Sequence, residues 1–589
     1  MRRLIASSLL VLALSASACK ESDPNKFETH IANIKDSSKR ASGFSGLEDL
    51  VKTVVTSPDN KDRIEEFATV VIPVFEEIWD EAPEHQEKML VMLRDIAHPK
   101  GSTIWNKALT LDGSAEARKK AILALEGIKK AKATDSTEQV VAEFDKLIAN
   151  PKNDSGGNAD GDVRELMAKT LGALGDKRGV DVLIKAMEQT AEVQPVKVHR
   201  AAAAALGKIG DPGTCTAPDK CKVVDALLTV TYRVPDAATS KNIGVQSKQA
   251  LVAIGDPAIP GVILMLNGKH EEVQKLAAQV GIDQFNIQQT AALILGAMGS
   301  AKAVDELLKI FPLDDCKPAD AAAKKKDEEE LEPDAAYAGL RAVVANALGF
   351  IGDEKGIEPL CTCSTASKNP ADMFPINEAL GRIGGPKAVD CLVNVIKTGE
   401  YTKDAIAKAD LKYESRWESG RFAILAAGPD DVGKIKEAFA AQTDAAVKTE
   451  LAKWGEGIKV LESCKTDKDC YLTTLRDSNA DWFAREKAAY EVARLGDGDP
   501  KLALEIAKAY KVRNPDARVT MAWLPAKMMH GKPCPECAAA LQSVLDAEEL
   551  STDASYQAPV LMARDSIAKL GHEDDAEKTP AAAPAAPAK

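Results

Sequence analysis

Aromatic side chains are scarce in this chain, and their scarcity argues against β-rich folds. They make up 4 % of the 589 residues, although apolar residues reach 45 % with Ala the main contributor. A large β-sandwich or barrel needs many short strands rich in Val, Ile and Tyr, joined by hairpin turns. The abundance of Ala, Leu, Lys and Glu predicts instead an all-α chain of about four domain lengths.

Positive charge is also in short supply. Lys and Arg number 76 against 89 Asp and Glu, which leaves a formal net charge of −13. Binding to DNA or RNA depends largely on basic side chains that displace counterions from phosphates. We therefore expect no nucleic-acid partner.

Catalytic patterns are missing as well. The seven histidines show neither H-E-x-x-H nor any other paired metal-site spacing. The sequence contains no G-x-S-x-G elbow, phosphate-binding loop or dinucleotide fingerprint. The acidic stretch from Asp154 to Asp162 has carboxylates at alternate positions but lacks the EF-hand register, so a solvated loop in which Asp162 caps the next helix is favoured over calcium binding. We predict a protein that is not an enzyme and has no cofactor or metal.

No hydrophobic run at the N-terminus is long enough to span a bilayer. Arg2 and Arg3 precede an apolar run over residues 4–14, and small residues lead to Cys19. This pattern indicates a signal peptide over residues 1–18, and the small residues before Cys19 resemble a bacterial lipobox despite Ala16 in place of the usual Leu. We expect lipidation at Cys19 and a location in the bacterial cell envelope, anchored by lipid to the outer membrane because Lys20 rather than Asp follows. Simple secretion is the alternative.

One sequence motif, which we call the repeated phrase, recurs along the chain. It is seen clearly where apolar and small residues lead to Gly175-Asp176, and it returns at Gly210, Gly299 and Gly352. Weaker copies end at Gly255, Gly384, Gly428 and Gly496. Apolar residues seven, four and one before this Gly share one helical face. The Gly can end one helix in the left-handed conformation, and the Asp can cap the next. Each copy therefore predicts a helix, a tight turn and a second amphipathic helix.

With Arg164, Arg341 or Arg485 eleven residues before the final Gly, the phrase resembles the HEAT repeat, most closely the short variety named after phycobilisome lyases. The resemblance is clear over residues 163–228 and 287–396, recognisable over 485–504 and faint elsewhere. It implies an α-solenoid with an extended concave surface. It implies little about function, because the repeated residues are those that pack. His199 stands at the position of these arginines and is expected to be a surface or inter-repeat side chain.

The remaining segments follow from composition. The expected order is a signal peptide (1–18), a lipidated N-terminus and tether (19–42), a helical region of degenerate repeats (43–150), HEAT-like repeats (163–310), a charged insertion (311–336), further HEAT-like repeats (337–572) and a disordered Ala/Pro-rich tail (573–589).

Cysteine usage predicts disulfides. Eleven cysteines less Cys19 leave ten, an even number that suits an oxidising compartment. Three pairs lie close in sequence, the first two in inter-helix loops and the third just before an apolar helix: Cys215 with Cys221, Cys464 with Cys470, and Cys534 with Cys537. Four more lie in or beside second helices of three successive repeats and predict two bridges between neighbours, with all three pairings open: Cys316, Cys361, Cys363 and Cys391.

Two classes of function remain at this stage. The favoured one is a non-catalytic envelope scaffold whose concave face binds envelope proteins, with the membrane contacted through the lipid anchor. The alternative is a redox or metal handler that uses Cys534 and Cys537, with Met528 to His530 nearby as soft ligands, or a bilin-binding protein of the lyase type. A HEAT-like iron enzyme, deoxyhypusine hydroxylase, uses four His-Glu pairs, whereas this chain has only two.

Overall fold

The structure, a computed structural model, describes residues 23–149, 159–189, 193–210, 221–233, 243–311, 316, 333–366, 370–398, 415–548 and 557–571. Within these ranges the regular structure consists of helices, and no strand occurs. The predicted all-α solenoid is therefore confirmed. Several expected features lie outside the described residues: the signal peptide, Cys19, Cys215, most of the charged insertion and the tail.

The chain divides into two compact units, residues 1–205 and 206–589, with the boundary inside α11. Helices that begin in the first unit are α1 Phe27–Lys35, α2 Arg40–Thr56, α3 Lys61–Val70, α4 Ile72–Ile78, α5 Gln86–Ile96, α6 Ser102–Ala108, α7 Ala115–Ala131, α8 Thr137–Ala149, α9 Ala159–Leu174, α10 Val180–Glu188 and α11 Val196–Ile209.

Helices of the second unit are α12 Lys222–Arg233, α13 Gly244–Ile254, α14 Ile259–Leu266, α15 Glu271–Gln279, α16 Gln284–Met298, α17 Val304–Ile310, α18 Pro333–Ile351, α19 Ile357–Ala366, α20 Pro370–Ile383, α21 Pro386–Thr398, α22 Ser415–Ala426, α23 Val432–Ala440, α24 Ala445–Ala452, α25 Gly455–Cys464, α26 Lys468–Arg476, α27 Trp482–Leu495, α28 Pro500–Lys508, α29 Pro515–Met529, α30 Pro535–Glu548 and α31 Gln557–Leu570.

The turn of the repeat has the predicted geometry in most copies. A glycine with positive φ ends the first helix at Gly175, Gly210, Gly255, Gly299, Gly352 and Gly384. After Gly175 and Gly352 the next residue caps a short 3₁₀ turn: the Asp176 carboxylate accepts a hydrogen bond from the Arg178 amide at 3.0 Å, and the Asp353 carboxylate accepts one from the Lys355 amide at 2.9 Å. Two weaker copies differ. Gly428 and Gly496 have φ values of −89° and −125°, so the left-handed turn expected there is wrong.

The first glycine of the repeated phrase has a separate role. A Cβ built on Gly349 would lie 2.7 Å from the Cα of Ala379 in the next repeat, a distance that real Cβ atoms do not reach. The same glycine-to-alanine contact recurs in three other pairs of repeats: Gly172 with Ala205, Gly207 with Ala250, and Gly296 with Ala347. Neighbouring first helices therefore touch backbone to backbone at one fixed position in each repeat.

The polar segment expected to be a tether over residues 19–42 is partly helical. α1 begins at Phe27, and Phe27, Ile31 and Ile34 are buried against the start of the fold. Apolar residues three or four apart form a stripe that α1 buries against α2, and this packing outweighs the polar composition. The ordered fold thus begins about sixteen residues earlier than the helical region predicted from residue 43. Likewise α18 begins at Pro333, inside the predicted insertion 311–336.

In the second unit the first helices form a closed ring. α13, α16, α18, α20, α22, α27, α29 and α31 each pack on the next, and α31 packs back on α13. We call these eight helices the inner ring and the α13–α31 contact the seam. Across the ring, the indole of Trp523 on α29 donates a hydrogen bond to the Phe350 carbonyl of α18 at 3.2 Å. The solenoid of this unit therefore returns on itself.

Candidate functional site

In the first unit, the first helix of each repeat has a face that is exposed to solvent. Between α5 and α7, Glu87 pairs with Lys119 at 2.6 Å and Arg94 pairs with Glu126 at 3.3 Å. Val91 lies one helical turn from both Glu87 and Arg94, and Ile122 holds the equivalent place on α7. Both apolar side chains are partly exposed. A small apolar strip therefore lies between two ion pairs, and we call it the α5–α7 face.

Ion pairs of the same kind join the other first helices of this unit. Lys88 pairs with Glu48 of α2 at 3.6 Å, and Arg118 pairs with Asp160 of α9 at 2.8 Å. Lys197 of α11 pairs with Asp162. Exposed pairs add only about 0–1 kcal/mol each to stability, so their main effect is to set the pattern of charge on the face.

Asp160 and Asp162 belong to the acidic stretch weighed above as a calcium site, of which residues 151–158 lie outside the described residues. The two carboxylates face Arg118 and Lys197. Asp162 is exposed inside the first turn of α9, which begins at Ala159, so the expectation that Asp162 caps this helix is wrong. Within the described part of the chain, no group of three or more His, Cys, Asp or Glu side chains could hold a metal ion.

The inner ring of the second unit contains a buried charge network. Arg421 pairs with Glu486 at 3.0 Å and with Asp516 at 2.9 Å. Glu486 also accepts a hydrogen bond from the Thr520 hydroxyl at 2.7 Å. The Arg421 and Glu486 side chains are only 4 % and 1 % exposed, so this ion pair is removed from solvent. The network joins α22 to α27 and α29.

Two further carboxyl groups belong to this network. Glu378 pairs with Arg382 at 2.6 Å, and Glu418 lies one turn before Arg421 on α22. Burial raises the pKa of both glutamates. Carboxyl groups with shifted pKa values in an enclosed region often mark functional sites, but buried structural networks shift the pKa of carboxyl groups in the same way.

Lysines of the later ring helices reach the ends of the earlier ones. Lys487 is fully buried, and its Nζ donates to the Leu425 and Ala427 carbonyls at the end of α22 at 3.1 and 2.7 Å. The Nζ of Lys527 lies over Gly352 at the end of α18, and that of Lys569 lies over Gly299 at the end of α16. A cation is favourable at a helix C-terminus because the carbonyls there carry partial negative charge. Burial lowers the pKa of Lys527 and of Lys569 to about 8.

These contacts change the expectation for the concave surface. The ring fills its own inner face with a stacked aromatic and cationic layer, in which the Arg382 guanidinium lies 4.0 Å from the Phe350 ring centroid and Lys527 Nζ lies 4.6 Å from that of Trp523. An open concave wall along the whole chain is therefore wrong for the second unit. The α5–α7 face of the first unit is open to solvent.

The structure selects one of the three pairings left open for the four inter-repeat cysteines. Cys316 pairs with Cys363 and Cys361 pairs with Cys391, with Cα–Cα distances of 5.0 and 5.7 Å. Each pair joins the second helices of neighbouring repeats or the segment beside them. Cys221 is buried, and its predicted partner Cys215 lies outside the described residues.

The two remaining pairs lie at helix ends. Cys464 is the last residue of α25 and Cys470 lies in the first turn of α26, so this pair spans the turn rather than lying within a loop. Cys534 and Cys537 pair at the start of α30. The Cys534 amide also donates to the Leu570 carbonyl at 3.1 Å, which ties the start of α30 to the end of α31.

The surroundings of Cys534 and Cys537 bear on the redox and metal alternative. Both side chains are at most 1 % exposed, whereas a reactive thiol needs access. Met528 and Met529 are buried in the core of the last repeats, and the exposed His530 ring faces Asp497 at 2.7 Å. Met528 and Met529 belong to the same buried core as the two cysteines, whereas His530 is turned outward to Asp497.

Basic residues eleven before the repeat glycine share a role that the sequence did not reveal. The His199 ring is fully buried and its Nε2 lies 2.8 Å from the Gln189 carbonyl at the end of α10. Arg164 donates to the Val193 carbonyl at 3.4 Å, and Arg485 donates to the Leu475 carbonyl near the end of α26 at 3.1 Å. His199 is therefore an inter-repeat side chain. Burial lowers its pKa, which favours the neutral ring.

Among the described residues, no single helix is both long and apolar enough to cross a membrane; one pair, Gly244–Ile254 with Asp256–Leu266, meets the length and composition only when joined across a bend of 114°.

Comparison with known proteins agrees with the class of fold. A family model described as HEAT repeats matches residues 157–230. No curated protein sequence matches the chain. A crystal structure of a Kap121p mutant is 12 % identical, with 92 % of this chain and 67 % of that chain covered and a TM-score of 0.25, which is too low to carry an argument. The fold and the family match together define an all-α solenoid with a HEAT-repeat domain.

Proposed function

We propose that this protein is a non-catalytic scaffold that binds protein partners through the α5–α7 face. HEAT-type solenoids commonly bind proteins over extended surfaces. The observation that carries the proposal is the apolar strip of Val91 and Ile122 between the exposed Glu87–Lys119 pair and the half-buried Arg94–Glu126 pair, because an apolar centre with a polar rim is typical of protein interfaces. The inner ring, by contrast, uses its side chains in contacts with itself.

The finer proposal is that the scaffold is a lipoprotein of the bacterial cell envelope, on the outer membrane, and that its partners are envelope proteins. The support is the N-terminal sequence, in which a charged start and a short apolar run end at Ala18-Cys19. An even number of remaining cysteines agrees with an oxidising compartment.

Replacing Cys19 tests the anchor. We expect Cys19→Ala to move the protein from the membrane fraction to the soluble periplasm or medium, because the acylated thiol is lost. Fractionation and mass spectrometry of the mature N-terminus measure this. A variant that stays in membranes, or a wild-type N-terminus with an unmodified Cys19, would contradict it.

A charge exchange tests the binding face. The double variant Glu87→Lys with Lys119→Glu keeps the ion pair but reverses the charge pattern beside Val91 and Ile122. We expect capture of partners from crosslinked envelopes, quantified by mass spectrometry, to fall by about tenfold, while helicity and Tm stay close to wild type because exposed pairs contribute little to stability.

The matched control exchanges Asp390 and Lys434, an ion pair of similar exposure between second helices of the other unit. Side-chain exposures are 61 % and 50 % there, against 49 % and 60 % for Glu87 and Lys119. The control should keep full capture. Equal loss in both variants, or none in the first, would refute the α5–α7 face as the binding surface.

We also propose five disulfides: Cys215–Cys221, Cys316–Cys363, Cys361–Cys391, Cys464–Cys470 and Cys534–Cys537. The Cα–Cα distances of 5.0 to 5.7 Å in the four described pairs support them. Denatured, unreduced protein should show no free thiol, and peptide mapping should return these five pairs. Replacing Cys464 and Cys470 by Ser should cost about 2–3 kcal/mol, because the closed loop is short. Free thiols in freshly isolated protein would count against the proposal.

A further inference from the structure

We propose that the inner ring opens at the seam between α13 and α31 without unfolding of its other helices. The inference concerns the second unit and does not depend on the binding face proposed above. It rests on the burial of charge at the seam, on the contrast with the close-packed α16–α18 and α18–α20 contacts, and on the placement of the disulfides.

At two contacts of the ring, small residues allow the backbones of neighbouring helices to approach closely. Gly296 of α16 meets Ala347 of α18, and Gly349 of α18 meets Ala379 of α20, each with a built Cβ at 2.7 Å from the opposing Cα. Apolar residues are buried on either side of these contacts. Separating such helices exposes apolar surface to water, which is unfavourable.

The seam instead contains a buried ion pair. Lys248 of α13 pairs with Asp565 of α31 at 2.6 Å, and Asp565 is only 4 % exposed. The second carboxylate oxygen of Asp565 accepts no hydrogen bond from any described residue.

This chemistry makes the seam a weak contact. The cost of removing two charges from water roughly cancels their attraction, so a buried ion pair adds little net stability. Opening would return Lys248 and Asp565 to water, which would satisfy the second carboxylate oxygen of Asp565. Lys569, which lies over Gly299 beside the seam, would also be hydrated, and burial now holds its pKa down.

Covalent links do not oppose the opening. The described disulfides lie elsewhere: two between second helices in the middle of the unit, one across the α25–α26 turn and one at the start of α30. The paired residues at the seam are 317 positions apart. The ends of the ring can therefore separate while neighbouring repeats stay bound to one another, as is usual for local opening in repeat proteins.

Native-state amide hydrogen exchange of the full-length protein, read by mass spectrometry, tests the proposal. When the seam opens, α13 and α31 lose their mutual packing, and their helical hydrogen bonds therefore open more often. In the wild type, their amides should exchange at least about tenfold faster than those of α18 and α20. Asp565→Asn leaves Lys248 unpaired and should speed exchange in α13 and α31 about tenfold further, with no change in α18 and α20. The matched control, Asp390→Asn, removes one carboxylate charge from an exposed pair and should change neither.

A variant designed to keep the seam closed tests the proposal in the opposite direction. Lys248→Met with Asp565→Leu replaces the ion pair by apolar side chains of similar size and should slow exchange of α13 and α31 to near the rate of α18. Equal protection of all four helices in the wild type would overturn the proposal. So would Asp565→Asn speeding exchange in every helix alike, because that result means global unfolding rather than opening at the seam.

Discussion

Replacing Arg421 by Leu should destabilise the second unit by about 3–5 kcal/mol, because it leaves a buried glutamate without its counter-charge. Arg421 and Glu486 are both almost completely buried, and the ion pair between them is 3.0 Å long. Once the guanidinium is lost, Glu486 still accepts a hydrogen bond from the Thr520 hydroxyl. Chemical denaturation followed by circular dichroism measures the loss.

The control removes an exposed cation instead. Lys434→Leu breaks an ion pair in which the side chains are 50 % and 61 % exposed, and it should cost less than about 1 kcal/mol. The double variant Arg421→Leu with Glu486→Leu should recover part of the stability, because neither charge is then left alone. A loss below about 1 kcal/mol for Arg421→Leu would show that water reaches the network.

Adding one methyl group should have opposite effects at two glycines of the same unit. Gly349→Ala should destabilise by about 1–3 kcal/mol, because the new Cβ would lie 2.7 Å from the Ala379 Cα and the helices would have to separate. Gly433, in helix α23, has nothing within 4 Å of its built Cβ. There Gly→Ala should be neutral or stabilise by up to about 1 kcal/mol, since Ala favours the helix.

Thermal unfolding of both variants shows directly whether each substitution raises or lowers Tm. The double variant Gly349→Ala with Ala379→Gly moves the methyl group to the opposite helix and should restore much of the lost Tm. If Gly349→Ala raised Tm as Gly433→Ala does, the repeats would not be in backbone contact at this position.

The repeated phrase predicted much of the local structure. Helix faces and turns depend on neighbours three or four residues away, so apolar spacing and a glycine followed by Asp were sufficient for the turns at Gly175 and Gly352. The failures at Gly428 and Gly496 came in weaker copies of the phrase. There the chain ends the helix with other backbone angles, and the Gly428 amide instead donates a hydrogen bond to the Asp431 carboxylate at 3.1 Å.

The candidate site was harder to predict from the sequence. Glu87, Lys119, Val91 and Ile122 stand on two helices, and only the register between those helices brings them together. The role of Gly349 was missed for the same reason, since its partner Ala379 belongs to the next repeat. A glycine at the same place in several copies of the phrase was the signal that could have revealed a close approach of helices.

The sequence by itself determined the class of fold, the repeat and the presence of cysteine pairs, because composition and spacing act through helix propensity and local contacts. Tertiary structure alone decided that Cys316 pairs with Cys363, that His199 is buried between repeats and that Lys248 meets Asp565 across 317 positions. Each of these depends on the small rotation between successive repeats, which accumulates along the solenoid. That rotation determines whether α31 meets α13, and no short stretch of sequence encodes it.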